Sequence, residues 1–128
     1  RKDLADEARR NLHAFSNSLT ESPFSSERML SALDFYHRRP REVAFVSSRA
    51  DLPKLEELVN AAARAYVPNV IFARLVSDAP EAGKVAKSIP LLAEKTPAGG
   101  KPSAYVCKNF TCRAPVSDAA ALLEELGK

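Results

Sequence analysis

The sequence predicts an α/β fold, in which an N-terminal αα-hairpin precedes a small mixed sheet made of a parallel β-α-β unit and a C-terminal β-hairpin, with flanking helices. Three observations carry this reading. Apolar residues recur at three- and four-residue spacing up to about residue 38. Two continuous β-prone runs, EVAFV and NVIFARLV, bracket a helical stretch. Near the C-terminus two short strand-like segments, AYVC and FTC, are joined by a tight turn.

Leu4, Ala8, Leu12, Phe15 and Leu19 lie on one side of a helix spanning residues 3–19. Ser22 and Pro23 supply an N-cap and a first-turn proline for a second helix, whose apolar side is Phe24, Met29, Leu30, Leu33 and Tyr36. Pro40 ends it, after a last turn containing His37, Arg38 and Arg39, where positive charge suits the helix dipole. The run at 42–46 is uninterrupted rather than alternating, so it reads as a strand covered on both faces. Asp51 is placed to cap the next helix, which carries Leu52, Leu55, Leu58, Val59, Ala62, Ala63 and Tyr66. Pro68 closes that helix before the second strand, and a strand-helix-strand unit of this kind is parallel and right-handed. A short helix is expected around Glu81–Lys87, followed by IPLL and the turn-rich KTPAGGKPS. After the hairpin, Ser117 is placed to cap a final helix containing Leu122, Leu123 and Leu126. The domain boundaries implied are 1–38 for the helical hairpin and 41–128 for the α/β part.

A chain of 128 residues buries about two-thirds of its unfolded surface, so a core forms without staples. Apolar residues at 45% and charged residues at 27% match an ordinary globular composition and argue against disorder. The net charge of +3 comes from dispersed residues and points to no nucleic-acid partner. The HRRPR run sits where a helix end favours cations and lacks stacking aromatics beyond Tyr36. No apolar run approaches the roughly 20 residues of a membrane span, so no membrane partner is expected. The residues leave the compartment open, and the cytoplasm is the working expectation. The sequence begins at Arg1 within a helical pattern, as a piece of a longer protein would.

No catalytic signature stands out. The first strand leads into VSSRADLPKL, which has no glycine-rich turn for a pyrophosphate. Ser47 and Ser48 at that helix start, with Lys101 of the Gly99-Gly100-Lys101 turn, form a weak anion- or nucleotide-binding alternative. The lysine cluster lacks Walker spacing. His13 and His37 lie on the N-terminal helices without a nucleophile elbow, and the adjacent glutamates at 56–57 and 124–125 diverge by about 100° on a helix, which is poor acid–base geometry. No cofactor and no metal are expected.

The only two cysteines, Cys107 and Cys112, fall within one short apolar stretch. If Asn109 and Phe110 are the central turn residues, the two cysteines face each other directly. If Lys108 and Asn109 are central, they sit diagonally on one face. The direct pair can bridge, whereas the diagonal pair leaves two buried thiols. Two cysteines make half a zinc site, and the spacing is not the Cys-x-x-Cys of a thiol oxidoreductase. The residues favour buried structural thiols over a reversible disulfide, and both over a thiol-redox catalyst.

Three quoted segments, LDFYHRRPREVAFV, IPLL and GKPSAYVCKNFTCRAPVSD, taken in order, resemble the C-terminal end of the spermatogenesis-associated protein 20-like, thioredoxin-domain-containing family. The resemblance implies a much longer protein, with an N-terminal thioredoxin-like domain and an α/α-toroid. Residues 1 to about 38 would then be closing helices of that toroid, and residues 41–128 a terminal appendage. It brings no catalytic site into this chain. Cys107, Asn109, Phe110, Cys112 and Pro115 carry over as a tail motif without an assigned role, and Ser47 stands where the family pattern leads one to expect glycine. The expected function is a non-catalytic structural or interaction module. Its partners would be the upstream domains, or a second copy through the N-terminal helices.

Overall fold

Five consecutive residues of β1 (Arg41–Ser47), from Val43 to Ser47, are fully buried in the computed structural model, which describes residues 2–109 and 111–127. A strand covered on both faces has to be interior to its sheet. The order is β2-β1-β3-β4, with β2 (Val70–Val76) parallel to β1, β3 (Ser103–Lys108) antiparallel to β1, and β4 (Thr111–Cys112) antiparallel to β3. The mixed α/β architecture read from the sequence is therefore the one observed.

Alternate residues of each strand point to opposite faces, which creates two cores. Val43, Phe45, Ala104 and Val106 pack beneath α4 (Leu52–Arg64) and α6 (Ala119–Gly127), which contribute Leu55, Leu58, Ala62, Leu122 and Leu126. On the other face Ala44, Val46, Leu75 and Leu92 form a smaller cluster under α5 (Ala82–Ser88) and the 3₁₀ turn Pro90–Leu92. The second cover is short. It shields the end of the sheet near Val46 and Ser103, and an open groove remains over the end near Glu42 and Cys107.

Several local expectations are corrected. Asp51 precedes α4 but makes no capping bond; its carboxylate accepts from Ser48 Oγ at 3.1 Å and pairs with Lys54. Asp118, not Ser117, caps α6, its Oδ1 accepting the Ala121 N–H at 2.8 Å. A carboxylate one residue nearer the helix reaches the free amide that the hydroxyl of Ser117 does not.

The residues divide into two compact units, Arg1–Arg39 and Pro40–Lys128, the second being the α/β unit just described. In the first, α1 (Lys2–Ala14) and α2 (Ser16–Glu21) replace the single helix expected over residues 3–19. The break at Phe15 is slight, since Phe15 N–H still donates to Asn11 O and Leu19 N–H to Phe15 O. Ser22 caps nothing with its side chain; Pro23 opens the 3₁₀ turn Pro23–Ser25, and α3 (Glu27–Arg38) starts only after it. Arg39, at φ 51°, turns the chain out of α3 immediately before Pro40.

Candidate functional site

The α/β unit carries the open groove, about 770 Å³, lined by residues including Glu42, Ile71, Ile89, Lys95, Cys107 and Cys112. It exists because the strand register stacks Ile71 of β2, Glu42 of β1 and Cys107 of β3 in one row across the sheet. Its walls are mostly apolar, and its charges come from Glu42, Lys95 and Arg74. Lys95 Nζ sits 5.3 Å from the centre of the Tyr105 ring, whose hydroxyl donates to Thr96 O at 2.6 Å. Arg74 is held by Glu56 of α4 at 2.6 Å. Such a groove suits an apolar side chain with a polar flank.

Both cysteines are on its wall, and they form a disulfide. Cys107 pairs with Cys112 and Lys108 with Thr111, which places Asn109 in the turn directly after the Lys108–Thr111 pair. Asn109 adopts φ 52°, the left-handed conformation that tight hairpin turns use and that asparagine tolerates. Phe110 lies outside the described residues. Arg113 N–H donates to Val106 O at 3.0 Å, so the next pair along, Cys107 with Cys112, is the non-hydrogen-bonded kind in which side chains approach most closely. This is the direct register, and it overturns the preference for two buried thiols.

The bridge is asymmetric. Cys107 is 1% exposed and Cys112 is half-buried. An attacking thiolate would therefore reach Cys112 Sγ and expel Cys107 as a thiolate. The leaving sulfur is thus the one shielded from solvent, on the inner side of the bridge.

Pro115 also acquires a structural place. Ala104 and Val116 exchange hydrogen bonds at 2.8 and 3.0 Å, whereas the neighbouring bond joins Val106 to Arg113. Tyr105 thus faces two residues, Ala114 and Pro115, in a β-bulge where the missing proline N–H costs nothing. Arg113 Nη1 then pairs with Glu125 of α6 at 2.6 Å and ties the hairpin to the helix.

Ser47, Ser48 and Lys101 do not line the groove. Ser47 is fully buried with its hydroxyl unpartnered, and Ser48 Oγ is taken by Asp51. The amide after them is occupied too: Arg49 N–H donates to Asp78 Oδ1 at 2.7 Å. The anion that this loop attracts is the chain's own carboxylate. Sequence reading missed Asp78, although parallel strands place their carboxyl ends side by side, which brings an acid after β2 within reach of the loop after β1. It also missed the groove residues Ile71, Ile89 and Lys95. Among the described residues, no three His, Cys, Asp or Glu side chains gather as metal ligands would, and no helix is long and apolar enough to cross a membrane.

The chain is 24% identical over 121 residues to human Spermatogenesis-associated protein 20, an alignment that takes in 94% of this chain and 15% of that protein. The resemblance read from the tail motif is thus matched by an alignment that also includes most of the helical unit. This chain spans about 15% of the length of the curated relative it matches. No family model and no solved structure matches it.

Proposed function

We propose that this chain is a structural and interaction module of a larger protein, in which residues 40–128 form a disulfide-pinned scaffold and residues 2–39 dock on the remainder. The observation that carries this reading is the surface of the helical unit. Phe24 is 91% exposed, Leu4 57%, Phe15 50% and Tyr36 48%, while only Leu19 is buried among the described residues of this unit. Phe15, Phe24 and Met29 also line a hollow of about 570 Å³. Large apolar residues grouped on exposed helices mark an interaction surface. The larger relative supplies the reason for one: the resemblance implies an α/α-toroid, whose helical hairpins would cover these side chains.

The bridge bears on compartment. Structural disulfides persist in oxidising compartments and are reduced in the cytosol. A cytoplasmic chain would carry the facing pair as thiols, and an exported one would carry the bridge.

The test is a binding experiment between this chain and the remainder of the longer protein expressed separately. Saturable association that weakens at least tenfold with Phe24→Ser combined with Leu4→Ser supports the reading. Absence of association, with both parts folded, overturns it.

A further inference from the structure

We infer that β2 is a dimerisation edge, at which a second copy of this chain adds its own β2 antiparallel to form one eight-stranded sheet. The phase of the β1–β2 ladder fixes which backbone groups are open. Arg41 N–H donates to Asn69 O at 2.9 Å and Ser77 N–H donates to Ser47 O at 2.8 Å. In a parallel ladder this phase turns the amides of residues 69, 71, 73, 75 and 77 toward β1 and those of Val70, Phe72, Arg74 and Val76 outward. Val76 O accepts from Ala79 N–H, which leaves Val70, Phe72 and Arg74 with outward donors and acceptors. β2 ends the sheet, and no proline, lysine or bulge protects it, although Ile71 and Phe72 are 39% and 38% exposed. Edges left open in this way recruit another strand. The opposite edge, β4, is two residues long and closed by the disulfide, so it offers no comparable template.

The occupant is argued from self-complementarity. Ala73 is the midpoint of Val70–Val76, so a two-fold axis through it overlaps the whole strand with its copy. Phe72 then hydrogen-bonds opposite the second copy's Arg74, and both have outward amides. On one face each guanidinium, already oriented by Glu56, lies across a phenylalanine ring, giving two cation–π contacts. On the other face Ile71 meets Leu75 of the copy, and the small Ala73 side chains meet at the axis without crowding. The pairing is isologous and closes, as a dimer requires. It is separate from the helical surface invoked above, so either can fail without the other.

The experiment uses the full 128-residue chain. Light scattering should give twice the 13.9 kDa chain mass. Phe72→Pro removes an outward N–H without touching the β1 ladder, and it should yield folded monomer at concentrations where the unsubstituted chain is dimeric. Ala73→Cys places a thiol at the non-hydrogen-bonded pair on the axis and should cross-link on mild oxidation through residue 73, the two native cysteines being already bridged. That readout holds even if the proline variant unfolds. A monomeric unsubstituted chain would leave the edge to an extended segment of another protein and overturn the proposal. A dimer that does not cross-link at residue 73 overturns it as well, and so does a folded Phe72→Pro variant that remains dimeric.

Discussion

Cys107 and Cys112 sit opposite each other at a non-hydrogen-bonded position of the β3–β4 hairpin, with Cα atoms 3.9 Å apart and a bond between their sulfurs. The relationship turns a two-residue strand into a fixed edge of the sheet. β4 is too short to hold itself by ladder bonds, and the bridge, the Pro115 bulge and the Arg113–Glu125 pair hold it instead.

Thiol labelling follows directly. The native chain without reductant should take up no label, and two labels should enter after unfolding and reduction. Label in the native oxidised chain would show that the sulfurs are not joined.

Cys107→Ala with Cys112→Ala should destabilise the chain by about 2 kcal/mol, the entropy of closing so short a loop in the unfolded state. Denaturant titration measures it. An unchanged midpoint would mean that the bridge adds nothing to the fold.

Ser47 and Ser103 are both fully buried, yet opposite outcomes are expected for their alanine variants. Ser47 Oγ has no partner, so removing it should leave stability unchanged or raise it by up to about 1 kcal/mol. Ser103 Oγ accepts from Ala98 N–H at 2.9 Å and donates to Lys101 O at 2.8 Å, so Ser103→Ala should cost about 2 kcal/mol. Thermal unfolding of the two variants side by side decides, and a larger loss at Ser47 would contradict the assignment of its hydroxyl as unpartnered.

Asp78→Ala should lower stability by about 1 kcal/mol, because the Arg49 amide loses its charged acceptor. With Asp78 in place, phosphate and nucleotides should leave the melting temperature unmoved. A nucleotide-dependent rise in the unsubstituted chain would restore the anion-binding alternative.

How much of this was legible in the sequence depends on the range of the interaction. The uninterrupted run Val43–Val46 announced a strand covered twice over, and the helical spacing of Leu55, Leu58 and Ala62 announced what covers it. Both are local patterns. The state of the cysteines rested on a one-residue choice of turn, which composition leaves open and a left-handed Asn109 decides. Capping by Asp118 over Ser117 turned on one position, finer than periodicity resolves. The groove and the Arg49–Asp78 contact were hidden for another reason: each joins residues that only the sheet register brings together.

The role proposed for residues 2–39 is to present an apolar surface that the rest of a longer protein covers. Hydrogen exchange over those residues tests it most directly, comparing the isolated 128-residue chain with the same residues inside the longer protein. Fast exchange is expected in α1 and α3 of the isolated chain and at least tenfold slower exchange in the larger protein, with β1 equally protected in both. Equal rates for the helices in the two settings would contradict it.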